Sequence, residues 1–279
     1  MLFAVGTGVT SGYAAEPIAI LRRSGVVDLP VDRDGPIYPA SAERREAWVA
    51  SVNAFAHRAF RKGSTLIALD AGVQQAVLRI ARDDIREWEP GCGLWAVPVQ
   101  LKSGTLAAGG RTLAVTSSAR RVHLPLTRRP ANEQESTILR RAAEAEFAKH
   151  QLPAEFNTLI EASGVLVFAS RRSSAPALLV GHFSIFVPKE RSGHGIYGLF
   201  LILERRQDGW EAAHADYDPP TRSTEGYYRE DAIDLIDIDG DGRPELVTYL
   251  WAHEAFDFAI YRKQRGSWHR IFLGGGGGC

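Results

Sequence analysis

Asp237-Ile238-Asp239-Gly240-Asp241-Gly242-Arg243-Pro244-Glu245-Leu246 is the stretch on which the reading of this chain turns. Asp237, Asp239 and Asp241 alternate, so a tight loop can aim all three carboxylates inward. Gly240 and Gly242 permit the backbone angles that such a wrap requires. The Arg243 carbonyl and the Glu245 carboxylate add two further oxygens. An all-oxygen donor set suits a hard cation, and calcium far better than zinc. Without a cation, three carboxylates this close repel one another. The first half fits an EF-hand loop, but the twelfth position is Thr248 rather than the bidentate Glu. Residues 246–251 read as a strand rather than a helix, which excludes an EF-hand.

Working outward, the chain repeats itself around this loop. Pro176-Ala177-Leu178-Leu179-Val180 parallels Pro244-Glu245-Leu246-Val247-Thr248, and residues 199–210 parallel 256–268 with one insertion. Both copies read strand, longer connection, strand, polar turn, Trp-bearing strand. That is the plan of an antiparallel meander or of one propeller blade.

Asp-x-Asp-Gly-Asp-Gly-x-x-Glu-Leu followed by an apolar strand resembles the calcium loop of FG-GAP/VCBS-type repeats, which build β-propellers in extracellular proteins. The resemblance implies a structural calcium ion in a β-hairpin loop, with Asp237, Asp239, Asp241, the Arg243 carbonyl and Glu245 as ligands. The specific match covers residues 233–249, and the looser blade pattern covers 165–272. The first copy has 169–175 where the acidic loop belongs, with no carboxylate, so one calcium is expected at most. Two blades are too few to close a propeller.

The N-terminal half carries helices. Residues 41–62 have Trp48, Val52, Phe55, Ala59 and Phe60 on one helical face, with Ser41 as N-cap and Gly63 as stop. Residues 65–70 and 73–81 read as a hairpin around Asp70-Ala71-Gly72, although 73–88 also fits a helical period. Short strands follow through 94–101 and 112–126. Asn132 and Glu135 have capping-box spacing before Ile138, Leu139, Ala142, Ala143 and Phe147. A short helix over 154–162 ends at Gly164. The expected fold is α+β, with a helix-containing N-terminal half and a β-rich C-terminal half of propeller-blade-like antiparallel meanders. Its divisions are 1–20 as a signal-peptide remnant or disordered stretch, 21–163 as an α+β region, and 164–279 as the FG-GAP/VCBS-like β region.

Lys+Arg and Asp+Glu are equal at 33 each, so there is no broad basic field for nucleic acid or anionic membrane. No apolar run approaches the ~20 residues of a membrane-spanning helix. Cys92, in a Pro-Gly-Cys-Gly turn, and Cys279, after five glycines, either pair in an oxidising compartment or are two unrelated thiols; spacing does not choose. The small residues near Tyr13-Ala14-Ala15 suit a signal-peptidase site, but no basic segment precedes them. Gly193-His194-Gly195-Ile196-Tyr197-Gly198 precedes a strand, so no helix N-terminus faces a phosphate. His253-Glu254-Ala255-Phe256-Asp257 lacks the second His of a zinc protease. Trp210, Trp251 and Trp268 read as packing residues, with a carbohydrate face as the other reading.

The expected function is therefore an exported, non-catalytic calcium-binding module, periplasmic, cell-surface or secreted. Its partner would be a protein or carbohydrate at the cell envelope. The alternative is an exported hydrolase-like enzyme with a structural calcium loop and an active site in the N-terminal half.

Overall fold

A computed structural model describes residues 1–7, 13–22, 25–27, 29, 42–82, 86–87, 95–106, 111–116, 126–170, 177–187, 195–219, 229–238, 241–252 and 255–278. The chain is mostly antiparallel β-sheet with a few helices. It divides into two compact units. The first is Met1–His123 with Ile236–Pro244 and Phe272–Cys279, and the second is Leu124–Leu235 with Glu245–Ile271. The division after His123, rather than after 163, has a physical cause. The second helix packs its apolar stripe on the strands that follow it.

The first unit is a closed six-stranded barrel, more β-rich than the sequence led us to expect. Its described elements are β1 (Leu2–Thr7), β2 (Tyr13–Arg22), β3 (Gly25–Val27), α1 (Ala42–Ala59), β4 (Thr65–Asp70), β5 (Val73–Ile80), β6 (Arg86–Glu87), β7 (Trp95–Gly104) and β8 (Thr112–Thr116). The strand order β2-β1-β8-β4-β5-β7 closes where Tyr13, Ala14 and Ala15 of β2 pair with Val99, Pro98 and Val97 of β7. Leu2 and Phe3 are fully buried in β1, so the described residues of 1–20 are ordered strand rather than a disordered stretch. β5 resolves the ambiguity over 73–88 in favour of a strand. Ala76, Leu78 and Ile80 are buried at a period of two, whereas Gln75 and Arg79 are exposed. Ala71 and Gly72 both take positive φ, +50° and +72°, as a two-residue hairpin turn with the right-handed strand twist requires. Val52, Phe55 and Ala56 of α1 enter one core cluster with Phe3, Leu66, Leu78 and Val97. Phe60, just past the helix, meets Phe3 and Phe55 at 5.6 Å between ring centres. Ser41 lies outside the described residues.

The elements that follow are β9 (Leu126–Pro130), α2 (Glu133–Lys149), a 3-10 helix (Ala154–Leu159), β10 (Ile160–Ser170), β11 (Leu178–Phe186), β12 (Ile196–Arg206), β13 (Gly209–Asp218), β14 (Arg229–Ile236), β15 (Glu245–Trp251), β16 (Ala255–Gln264) and β17 (Ser267–Gly278), all of the second unit save the last residue of β14 and the last seven of β17. Five strands run β13-β12-β11-β10-β9 and four run β14-β15-β16-β17. Each repeat copy thus becomes three sequential neighbouring strands, β11-β12-β13 and β15-β16-β17. Leu139, Ala143 and Phe147 of α2, spaced four apart, bury against Leu179, Leu199, Leu201 and Leu203. The predicted helix over 154–162 stops earlier, because Ile160 already pairs with Ile185. Gly164, at φ +60°, marks a bulge in β10 rather than a helix stop. The run Gly274–Gly278 continues strand β17 rather than forming a flexible tether.

The capping box at α2 is complete. Asn132 Oδ1 accepts from the Glu135 amide at 2.9 Å, and Glu135 Oε2 accepts from the Asn132 amide at 2.9 Å. Arg129 donates twice to the same carboxylate, both at 2.7 Å, and holds its pKa below the usual range. Asn132→Ala is expected to cost about 1 kcal/mol and Asn132→Gly a few tenths. Urea midpoints of the three proteins check this; equal midpoints for wild type and Asn132→Ala would remove the cap from the account.

Candidate functional site

The loop between β14 and β15 folds around one carboxylate. Asp237, 9% exposed, accepts from the Asp241 amide at Oδ1 (3.1 Å) and from the Gly242 amide at Oδ2 (2.9 Å). Asp241 in turn accepts from the Arg243 amide at 2.8 Å. Gly242 sits at φ +86°, where a side chain would be strained. Ile238 is buried, while Asp241 and Arg243 are exposed. The loop therefore brings Asp237, Asp241 and Arg243 together. Asp239 and Gly240 lie outside the described residues.

Glu245 is the first residue of β15. It belongs to the second unit, is fully buried, and its Oε1 accepts from Arg262 Nε at 2.7 Å. In the β15–β16 register Leu246 faces Tyr261, so Glu245 and Arg262 form the next cross-strand pair. Among the described residues, no group of three or more His, Cys, Asp and Glu is placed to hold a metal ion. Cys92, Cys279, His194, His253 and Glu254 lie outside the described residues. Trp268 is buried and Trp210 packs at the edge of the α2 cluster, as expected of packing residues. Trp251 is 42% exposed, edge-on to Tyr249 at 4.6 Å.

Sequence reasoning missed a second constellation. Glu230 on β14 is buried, and its Oε1 accepts from Thr248 Oγ1 at 2.6 Å and from the Tyr261 hydroxyl at 2.9 Å. Burial raises its pKa to about 7, against the pull of the two hydroxyl donors. Burial also raises Tyr261, and the nearby Glu230 adds to it. His214 of β13 lies edge-on to the Tyr261 ring at 5.0 Å, and its Nδ1 is 3.0 Å from the Trp268 carbonyl. Burial lowers the His214 pKa. Arg270 donates to Asp216 at 2.9 Å near the surface end of this cluster. A clue was available in the sequence. Glu230 occupies an inward position of a strand whose next alternate residues, Ala232 and Asp234, are also buried. A carboxylate on the buried face of an apolar strand needs partners.

No family model, curated protein or solved structure matches this chain.

Proposed function

We propose that the chain is an exported, non-catalytic calcium-binding module whose metal loop resembles those of FG-GAP/VCBS-type repeats. The observation that carries this reading is the pair of amides, those of Asp241 and Gly242, that donate to the Asp237 carboxylate. Both of its oxygens are aimed by amides four and five residues along the chain. Calcium would be held by the carboxylates of Asp237, Asp239 and Asp241 and by the Arg243 carbonyl, with water completing the shell. Glu245, engaged by Arg262, is left out of this set. The role of the ion is structural: it neutralises three carboxylates and fixes the connection between two neighbouring strands. The paired meanders support a blade-like reading of the repeat.

Isolated extracellular loops of this kind bind calcium with Kd of about 10⁻⁴–10⁻³ M, which favours a periplasmic, cell-surface or secreted setting. The proposed partner is a protein or carbohydrate of the cell envelope. The half-exposed Trp251 indole, beside Tyr249, offers such a partner an aromatic surface.

Thermal unfolding in calcium, in magnesium and in chelator tests the proposal. At tenfold excess over Kd, calcium is expected to stabilise by about 1.4 kcal/mol, and Asp239→Ala is expected to abolish that gain. No shift at millimolar calcium in either protein would overturn the metal assignment.

A further inference from the structure

The two sheets of the second unit enclose a ladder of polar side chains that an apolar sandwich does not need. Glu230, Thr248 and Tyr261 lie on β14, β15 and β16, three neighbouring strands. One carboxylate receives two hydroxyl donors, both at Oε1, so a proton on this group belongs at Oε2. The facing sheet closes over the ladder through Phe200 and His214, whose rings lie 5.4 and 5.0 Å from that of Tyr261.

Two charges among the described residues act on Glu230. Asp216 on β13 is a second carboxylate, and Arg270 on β17 is a cation. Arg270 is engaged by Asp216 at 2.9 Å, so one cation serves two carboxylates. His214, from β13, is disfavoured as a cation by its burial. Thr248 from β15 and Tyr261 from β16 contribute neutral hydroxyls. Ionised, Glu230 is a buried charge whose two hydroxyl donors are neutral and whose cation, Arg270, is shared with Asp216. Protonated, it is a neutral member of a hydrogen-bonded ladder. Buried charge is costly unless it is directly paired, so the protonated ladder is the tighter state.

We propose that Glu230 is a proton-operated latch: it holds strands β14, β15 and β16 together in mildly acidic surroundings and loosens them as the carboxyl ionises. The direction follows from linkage. An unfolded Glu ionises near 4.5, whereas burial holds the folded group protonated to about 7. Between those values the folded chain keeps a proton that the unfolded chain has lost. The stabilisation is complete below the unfolded value and fades as pH rises through the folded one. The unfolding constant should rise by up to about tenfold per pH unit in that window. His214 works in the opposite sense. Its lowered pKa favours the folded state as pH rises through the unfolded value, so the difference between proteins isolates Glu230.

The test is amide hydrogen exchange of β14, β15 and β16 in chelator between pH 5 and 8, corrected for the intrinsic rate, in wild type and Glu230→Gln. Chelator keeps the outcome independent of any metal. Relative to Glu230→Gln, wild type is expected to lose about a hundredfold protection across this range. Parallel profiles for the two proteins would overturn the latch. Should Glu230→Gln fail to fold, infrared difference spectra of wild type and Tyr261→Phe decide. A protonated-carboxyl band that disappears near neutrality, and shifts when the Tyr261 hydroxyl is removed, supports the latch. Its absence at pH 5 rejects it.

Discussion

Gly104→Ala is expected to be among the most damaging single-methyl additions to the barrel unit. Gly104 ends β7 opposite Ala76 of β5, just past a register shift between Val77 and Leu78. Its φ is +81°, a conformation that costs a residue with a Cβ about 1–3 kcal/mol. The second cost is steric. A Cβ built there would lie 1.9 Å from the Gln75 carbonyl oxygen and 2.8 Å from the Ala76 Cα. Both are backbone atoms of β5, so relief requires the β5–β7 pairing to part, and that pairing is one seam of the closed barrel. Overpacking adds about 1–3 kcal/mol, for a total of about 2–6 kcal/mol. Gly266→Ala is the control. It has φ +95° but nothing within 4 Å of its Cβ, so only the backbone cost applies. Denaturant unfolding of the two variants should therefore separate them by 1 kcal/mol or more. Equal losses would mean that the β5–β7 seam yields freely.

The sequence made legible whatever was local and periodic. α1 and α2 follow from apolar residues three and four apart, and the α2 cap from Asn132 and Glu135. The β4–β5 hairpin follows from Asp70-Ala71-Gly72 between two apolar runs. The repeat announced two meanders because Gly209 and Gly266 precede a Trp strand in both copies. Barrel closure was not legible. It rests on β2 meeting β7, strands about eighty residues apart, and the small alternating residues Ala14 and Ala15 at that seam carry no long-range label. The same limit hid the Glu230 cluster, whose members come from five strands spread over residues 214–270. In the loop, the first of the alternating Asp residues, Asp237, accepts from the amides of Asp241 and Gly242. The role of Glu245 could not be read beside them, because its partner Arg262 is brought opposite by β16 pairing alone.

Glu245→Ala is expected to destabilise the second unit by about 3–5 kcal/mol, in chelator as well as in calcium. Glu245 is fully buried and Arg262 is 19% exposed, so removing the carboxylate takes an ion pair out of a site largely shielded from water. That penalty, not a lost ligand, dominates the effect. Glu245→Gln keeps the shape and part of the hydrogen bonding and should cost about 1.5–3 kcal/mol, the loss typical of a charged hydrogen bond. Replacing both partners by apolar residues of similar volume, Glu245→Leu with Arg262→Met, should recover most of the loss, because neither charge is then stranded. Stability measured by urea unfolding of the four proteins, each with and without calcium, distinguishes pairing from metal ligation. An ion pair predicts losses that do not depend on calcium and a double variant that is rescued. If Glu245→Ala instead matched wild type in chelator and lost stability only in calcium, the carboxylate would be a ligand and its pairing with Arg262 incidental. The motif-level ligand set would then extend one strand further than the loop.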